Sequence, residues 1–247
     1  MPYFPRFADT VLDTALKRAG AVLIEGPKGC GKTETAALRA ASVARFDVDA
    51  DVKIKMEVDP ALVLEGDVPR LFDEWQVYPG IWDFTRREVD RRKRKGQFIL
   101  TGSATPDDKA RRHSGAGRFS VVRMRPMSWF ERGWSEGRVS LSALMRGEAP
   151  ASPEVKFSLG GLAEKITAGG WPGLIGEKPE TFAGFVRDYV ELIAEADVSR
   201  VSEKRRDPRK VARLLRSLAR NTATEASLAT LARDAAGSDS VLDDETV

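Results

Sequence analysis

Residues 26–33 form a glycine-rich segment whose residue types are suited to binding phosphate. The segment is Gly26-Pro27-Lys28-Gly29-Cys30-Gly31-Lys32-Thr33. It fits the pattern G-x-x-x-x-G-K-[ST], in which glycines let the backbone curl so that successive N–H groups point at phosphate oxygens. We expect all eight residues to line a nucleotide site. Lys32 would reach the β- and γ-phosphates of ATP, and the Thr33 hydroxyl would bind Mg²⁺.

Two interpretations of this segment compete. A glycine-rich turn could fit the pattern by accident, but an apolar strand signal precedes the segment and an alanine-rich helix signal follows it, as the motif requires. The helix would add the partial positive charge of its N-terminus to the phosphate site. Cys30 occupies a variable position, and we expect its small side chain to face away from the ligand rather than to act in redox control.

Two adjacent carboxylates follow a later apolar run. The run is Leu71-Phe72-Asp73-Glu74, and ligand crevices of doubly wound sheets form at the carboxyl ends of such strands. Asp73 would hold Mg²⁺, and Glu74 would orient and deprotonate the attacking water. A solvated acidic turn is the alternative. The glycine-rich segment at residues 26–33, called the phosphate loop from here on, precedes these acids and favours the catalytic interpretation.

Three further residues are candidates for contact with the reacting phosphate. Thr101 and Ser103 end the strand signal at residues 97–100, and either hydroxyl could sense the γ-phosphate if this strand lies between the other two. A simple strand-ending turn is the alternative. Arg118 follows Gly115-Ala116-Gly117, and it could stabilise the transition state from a closing loop or a neighbouring subunit, or it could be an exposed loop arginine. We assign no role to His113.

The elements that must position these residues alternate between strand and helix signals. Strands are predicted at residues 21–25, 42–48, 68–73, 97–100 and 119–124. Helices are predicted at residues 33–45 and 81–95. This alternation predicts an α/β fold of three layers around a mostly parallel five-stranded sheet. We expect an ATP-binding domain at residues 1–132, a connecting segment at 133–180 and a helical region at 181–247.

The later part of the chain is poorer in strand signals. A short helix is predicted at residues 141–146, within a stretch rich in glycine, serine and proline. Longer helices are predicted at 182–201 and 210–220, with Pro208 opening the second. Residues 227–234 are interpreted as the second helix of a helix-turn-helix, Gly237 as its turn and residues 243–247 as the start of a third helix.

Composition narrows the class of protein. The chain has 247 residues, 31% of them charged, with a net charge of +3, which is typical of globular proteins. No apolar run reaches the roughly 20 residues that span a bilayer, and the N-terminus lacks a signal-peptide pattern. These features and the single cysteine favour a cytoplasmic location. Basic residues cluster at 86–95, interpreted as a solvated helix face, and at 204–210.

The motifs in this order resemble those of a widespread group of prokaryotic AAA-superfamily ATPases that carry a C-terminal domain of unknown function. The resemblance is carried by residues 26–33, Leu71-Phe72-Asp73-Glu74-Trp75-Gln76, residues 98–103, Gly117-Arg118-Phe119, Arg125-Pro126-Met127-Ser128 with Glu131, Gly169-Gly170-Trp171-Pro172-Gly173 and Asp197-Val198-Ser199-Arg200. It implies that the strand before Thr101 lies between the loop strand and the acidic strand. It also implies an arginine-finger role for Arg118.

One departure from the group concerns the C-terminus. By resemblance, its members continue through a winged helix into a nuclease-like domain, so we expect residues 181–247 to hold only the start of a winged helix. A recognition helix cut at its start could not enter a major groove.

These observations lead to three functional hypotheses. The first is Mg²⁺-dependent ATP hydrolysis coupled to the C-terminal helices, with a homo-oligomer as a possible assembly. The alternative is a slowly hydrolysing, nucleotide-gated switch that binds DNA or protein through the basic cluster at 204–210. The third is a nonfunctional remnant. A small-molecule kinase is a minor alternative, because such kinases usually lack the paired acids followed by a hydroxyl-ended strand.

Overall fold

The computed structural model describes residues 3–102, 115–149, 157–197 and 207–236. Several residues considered in the sequence analysis lie outside the described residues, namely Ser103, residues 198–201, residues 204–206 of the second basic cluster, Gly237 and residues 243–247. His113, which has no assigned role, also lies outside them. The chain divides into two compact units, Met1–Gly176 and Glu177–Val247. The division falls inside the segment that the sequence interpretation treats as a connection, residues 133–180.

A five-stranded sheet forms the centre of the first unit. Its strands are β1 (Ala21–Glu25), β2 (Ser42–Arg45), β3 (Arg70–Asp73), β4 (Phe98–Gly102) and β5 (Phe119–Arg123). Their order across the sheet is β2-β3-β4-β1-β5, and each neighbouring pair is parallel. The predicted α/β class and the predicted position of β4 between β3 and β1 are therefore confirmed.

Helices cover both faces of the sheet. The helices of the first unit are α1 (Phe7–Arg18), α2 (Lys32–Ala37), α3 (Ala50–Val58), α4 (Ile81–Arg92), α5 (Leu141–Met145) and α6 (Leu159–Ala168). One face of the sheet buries Leu23, Phe72, Phe98 and Leu100 together with α4 residues Ile81, Trp82 and Val89. The other face buries Val22, Ile24, Leu71 and Ile99 together with α1 residues Leu12 and Ala15. Because strands buried on both faces need apolar residues at successive positions, β1, β3 and β4 have nearly continuous apolar sequences.

The segment after the phosphate loop differs from its prediction. The predicted helix at 33–45 ends at Ala37, and the chain turns into the sheet, where the Ala41 N–H donates to the Pro69 carbonyl at 2.8 Å. β2 then ends at Arg45 rather than at residue 48, because the chain turns there and the Asp49 carboxylate accepts a hydrogen bond from the Arg45 N–H at 2.9 Å. Helix α3 follows and was not predicted.

The second unit is helical in its described part. It contains α7 (Pro179–Leu192), a π-helical continuation at Ile193–Asp197, α8 (Pro208–Arg220) and α9 (Leu228–Ala236). Pro208 opens α8 as predicted, and the Asp207 carboxylate caps it by accepting from the Arg209 N–H at 2.9 Å. An ion pair between Arg220 and Asp234 at 2.8 Å joins α8 to α9. No helix in the described parts of the chain has both the length and the apolar character of a membrane span.

Candidate functional site

The phosphate loop connects β1 to α2 at the carboxyl edge of the sheet. Gly29 and Gly31 have φ angles of +72° and +96°, a backbone region that L side chains rarely adopt. A Cβ atom on Gly26 would overlap the Met124 carbonyl. The Cys30 side chain is fully buried among the apolar residues on the α1 side of the sheet, and burial raises the pKa of its thiol. These glycines are therefore required by local geometry, and the thiol is kept in its unreactive protonated form.

Lys32 folds back over the loop. Its Nζ donates to the carbonyl oxygens of Gly26 and Pro27, each at 2.9 Å. The side chain is buried, and burial lowers the pKa of the ammonium. An ammonium group has three donors, and two of them bind these loop carbonyls. The cation is therefore held inside the phosphate loop, where phosphate oxygens would bind.

Asp73 joins the phosphate loop to the centre of the sheet. Its Oδ1 accepts a hydrogen bond from Thr33 Oγ1 at 2.8 Å and another from Thr101 Oγ1 at 2.6 Å. Asp73 and Thr101 are both buried. Three residues singled out in the sequence therefore meet at one carboxylate oxygen. Because the Thr101 hydroxyl proton is directed at Asp73, the threonine would act on a nucleotide through this acid.

Glu74 lies directly beyond the end of β3. Its backbone is left-handed, with φ of +52°, and it precedes a 3₁₀ turn at Trp75–Val77. The Gln76 side-chain amide donates a hydrogen bond from Nε2 to Glu74 Oε2. A non-glycine residue with this backbone conformation is strained, and such strain is common where a side chain must be aimed into a site.

Arg118 lies at the amino-terminal ends of the strands, opposite to the ends that carry the phosphate loop. Its carbonyl accepts a hydrogen bond from the Ala21 N–H at 3.1 Å, at the amino-terminal ends of β1 and β5. Since β1 has five residues, its two ends are roughly 15 Å apart. The Arg118 guanidinium pairs with Asp90 at 2.8 Å. The possibility that Arg118 contacts the phosphate loop of its own chain from a closing loop therefore disagrees with its position.

A buried arginine near the N-terminus contacts the loop and was missed in the sequence. Arg6 donates from Nη1 to the Cys30 carbonyl and from Nη2 to the Arg125 carbonyl, both at 2.8 Å. Its Nε pairs with Glu131 at 3.1 Å, and both side chains are less than 10% exposed. No local pattern marks Arg6, because its partners lie far along the chain.

Glu131 holds the other side of this pair. Its carboxylate also accepts from the backbone N–H groups of Phe7 and Ser128, each at 2.7 Å. Burial by itself would raise the pKa of Glu131, but these two hydrogen bonds, a third from the Ser128 hydroxyl and the charge of Arg6 together outweigh it and leave the pKa below its usual value. The Arg6–Glu131 pair is thus ionised, and it holds the segment at residues 125–131 beside the phosphate loop.

A second contact with the loop comes from the Gly169-Gly170-Trp171-Pro172-Gly173 segment. The Met127 N–H donates to the Gly170 carbonyl at 2.6 Å, and Arg132 Nη1 donates to the Trp171 carbonyl at 3.3 Å. Pro172 Cγ lies 3.7 Å from the position that a Cβ on Gly31 would take. This segment of the first unit therefore packs against the start of α2.

The donor set suits magnesium bound together with a nucleotide. Mg²⁺ is usually held by one or two carboxylates plus phosphate oxygens, and it keeps several waters. Thr33 and Asp73 supply a hydroxyl and a carboxylate beside the loop. In the described ranges, no group of three or more histidine, cysteine, aspartate or glutamate side chains forms a separate metal cage.

Comparison with protein families agrees with this geometry. Residues 18–132 match the model of a family described as an AAA domain. Residues 18–132 are similar to AAA domains and are called the AAA domain from here on. Residues 160–246 match a domain of unknown function, DUF8612, as the resemblance implied for the C-terminal region.

Among curated proteins, two mycobacterial relatives are similar to part of this chain. They are the uncharacterized proteins Rv2008c of Mycobacterium tuberculosis and Mb2031c of Mycobacterium bovis. Each is 36% identical over 105 residues, covering 41% of this chain and 24% of the relative. The alignment therefore spans only about a quarter of each relative's length.

Solved structures with some similarity include AMPPCP-bound DnaA from Aquifex aeolicus, with a TM-score of 0.43 and 15% identity over 100% of this chain and 86% of that one. PCH-2 from C. elegans has a TM-score of 0.29 and 17% identity over 93% of this chain and 64% of that one. Neither similarity supports an inference about the function of the AAA domain described above.

Proposed function

We propose that the AAA domain binds ATP with Mg²⁺ at the phosphate loop and hydrolyses it. The observation that carries this proposal is the double hydrogen bond at Asp73, which joins Thr33 of the loop to Thr101 of β4. It puts a cation-binding carboxylate and the loop hydroxyl at hydrogen-bonding distance before any ligand binds. Preorganised groups of this kind need little rearrangement during catalysis.

Each residue of the site has a distinct task in this proposal. The backbone N–H groups of residues 26–33 bind phosphate oxygens, while Thr33 and Asp73 hold Mg²⁺, which would neutralise phosphate charge when bound. Lys32 exchanges its two carbonyl acceptors for the β- and γ-phosphates. Glu74 orients a water and accepts its proton.

Nucleotide binding requires Lys32 to leave the Gly26 and Pro27 carbonyls. The ammonium is buried and its pKa is lowered, so a nearby phosphate dianion stabilises its charged form better than two neutral carbonyls do. A triphosphate therefore recovers the two hydrogen bonds that its binding breaks.

Arg118 fits a role between subunits better than a role within one chain. Its guanidinium is about half exposed at the amino edge of the sheet, where a second copy could dock. In a homo-oligomer, Arg118 would leave Asp90 and contact the γ-phosphate bound to its neighbour. The proposed hydrolysis would then be coupled to assembly and, through the helices that follow, to the C-terminal region.

Phosphate release from ATP by the purified 247-residue chain tests the main proposal. We expect turnover that needs Mg²⁺, no nucleotide binding by Lys32→Ala, and normal binding without turnover by Glu74→Gln. Arg118→Ala and Glu74→Gln subunits, each impaired alone, should regain turnover when mixed only if the arginine acts across a subunit boundary, because a site with an intact Glu74 then receives Arg118 from its neighbour. Equal ATP hydrolysis by the parent and Glu74→Gln proteins would show that the base is another residue.

A nucleotide-gated nucleic-acid switch is the second candidate, and one observation favours it. Arg209, Arg213, Arg216 and Arg220 recur at intervals of three and four residues along α8, so they share one face of the helix. Arg209 and Arg216 are exposed there. A row of guanidinium groups along one helix face is suited to the phosphates of a duplex.

Duplex DNA binding with and without ATP distinguishes this candidate. The double variant Arg209→Gln/Arg216→Gln should weaken binding and reduce its dependence on salt. The matched control is Arg91→Gln/Arg94→Gln, which removes the same charge from the other basic cluster. Equal losses in both variants, or affinity indifferent to salt, would exclude a specific role for α8.

A further inference from the structure

Gln76 is fixed next to the proposed catalytic base by its own backbone. The 3₁₀ turn at Trp75–Val77 is closed by hydrogen bonds from the Val77 N–H to the Glu74 carbonyl at 3.0 Å and from the Tyr78 N–H to the Trp75 carbonyl at 3.1 Å. The Trp75 side chain is fully buried and packs against Trp82, with ring centroids 5.5 Å apart. The core therefore holds the residues on both sides of Glu74 in place.

The Gln76 amide is oriented by the Glu74 carboxylate. Its Nε2 donates to Glu74 Oε2, and the opposite orientation would direct an amide oxygen at a carboxylate oxygen. Its Oε1 is buried and has no hydrogen-bond partner among the described residues. Burying an acceptor without a partner costs stability, so this arrangement is not explained by stability alone.

Gly102, the last residue of β4, provides the space for this amide. A Cβ atom built on Gly102 would overlap Gln76 Oε1 and would lie 3.3 Å from Trp75 Nε1. The backbone of Gly102 does not itself require glycine, since its φ is not positive. The absence of a side chain at residue 102 is therefore explained by the position of Gln76.

We propose that Gln76 is a positioning residue that aims the Glu74 carboxylate at the attacking water, and that Gly102 is required because it makes room for the Gln76 amide. The proposal rests on the ATP hydrolysis proposed above. Glu74 follows the end of β3 and has a strained backbone. The direction of its side chain therefore depends on the groups that hydrogen-bond its carboxylate, among them the Gln76 amide. A small displacement of the Glu74 carboxylate would misalign it with the attacking water, even though the same chemical group is present.

Two independent substitutions disturb this contact. Gln76→Leu removes the donor and keeps a side chain of similar bulk, whereas Gly102→Ala pushes the amide away without changing Gln76 or Glu74. We expect both variants to lower kcat by about 10- to 100-fold. KM and nucleotide affinity should stay near those of the parent protein, because neither substitution changes a residue of the phosphate loop.

The matched control is Gly80→Ala. Gly80 lies in the same stretch of chain, has helical backbone angles and has nothing within 4 Å of an added Cβ. We expect it to hydrolyse ATP like the parent. Thermal unfolding of all three variants identifies any loss of activity that comes from loss of fold.

A double variant that starts from Glu74→Asp distinguishes a positioning role of Gln76 from a purely structural one. Glu74→Asp shortens the carboxylate by one methylene and withdraws it from Gln76. If Gln76 acts through Glu74, adding Gln76→Leu to this background causes no further loss of kcat.

The possible results are distinguishable from one another. Parental kcat in Gln76→Leu and Gly102→Ala, equal losses of kcat in both Glu74 backgrounds, or losses that follow nucleotide affinity would each overturn the positioning role. The proposed function would survive these results, provided that the parent hydrolyses ATP and Glu74→Gln does not. A parent protein that does not hydrolyse ATP refutes both proposals.

Discussion

Arg6 donates a hydrogen bond to the carbonyl of Cys30 at 2.8 Å, so a residue near the N-terminus supports the middle of the phosphate loop. The same guanidinium binds the Arg125 carbonyl and the Glu131 carboxylate. Three segments that are distant in sequence are thereby fixed to one side chain. The shape of the loop consequently depends on residues outside the phosphate-binding motif.

Replacing Arg6 should destabilise the AAA domain and weaken nucleotide binding. Arg6→Met leaves Glu131 as a buried charge without its partner, which typically costs about 3–5 kcal/mol. Urea unfolding measures this loss. Arg6→Lys should restore part of the stability but less of the affinity for ATP, because an ammonium lacks the planar fork of donors that reaches three acceptors.

Arg146 provides a control for this prediction. It pairs with Glu148 at 2.7 Å, and both side chains are more than half exposed; exposed pairs contribute about 0–1 kcal/mol. Arg146→Gln should therefore unfold close to the parent midpoint. If Arg6→Met were as stable as Arg146→Gln, the buried pair would make no measurable contribution to stability.

Removing the Thr101 hydroxyl should weaken binding of Mg²⁺. Thr101→Val keeps the shape of the side chain but removes the 2.6 Å hydrogen bond to Asp73, a bond to a charged group that is worth about 1.5–3 kcal/mol. The Mg²⁺ concentration for half-maximal ATP turnover should rise. Thr85→Val, which alters another fully buried threonine in α4, is the control, and an equal shift in both variants would contradict the prediction.

Tyr3 should titrate at unusually high pH. Its hydroxyl donates to Asp9 at 2.6 Å and lies 2.9 Å from Thr35 Oγ1 in α2. Burial first, and the Asp9 hydrogen bond next, raise the pKa of Tyr3 from 10.0 to about 12. Because the folded pKa is the higher one, this contribution to stability is complete below pH 10 and is lost as the pH rises through about 12.

Phenolate absorbance checks this prediction. The difference between the parent and Tyr3→Phe should titrate near 12 in the folded protein and near 10.0 in denaturant. A midpoint near 10.0 in both conditions would show that Tyr3 is not held by Asp9.

A side chain at residue 170 should destabilise the packing of residues 169–173 beside the phosphate loop. A Cβ on Gly170 would lie 2.7 Å from the Met127 backbone nitrogen, which is closer than such atoms approach. Overpacking of this kind costs about 1–3 kcal/mol. Gly170→Ala should lower the unfolding midpoint, whereas Gly173→Ala, with nothing within 4 Å of its added Cβ, should leave it unchanged.

Local motifs made much of the fold predictable. Gly26 to Thr33 and the run that ends at Asp73 are contiguous patterns, and apolar strands fix their place in a parallel sheet. The length of α2 was not predictable, because the chain leaves the helix to satisfy a backbone hydrogen bond with Pro69, far along the sequence. Arg6 was missed for the same reason, since its partners are brought together only by the folded chain.

The position of Arg118 could have been anticipated in part. It immediately precedes β5, and residues that precede a strand of a parallel sheet lie at the edge opposite to residues that follow β1. The glycines around Arg118 favoured the interpretation as a closing loop, but the parallel register of β1 and β5 decides the edge.

Both threonine hydroxyls converge on the same atom of Asp73, its Oδ1, and in the part of the chain that the structure describes Oδ2 accepts no hydrogen bond. The two oxygens of this carboxylate thus have different roles. One oxygen links two segments of the chain, and the other is available to the proposed Mg²⁺. An asparagine at residue 73 could keep both hydrogen bonds through its carbonyl oxygen while losing the proposed ion, so this single substitution should abolish the proposed activity and leave the fold unaltered.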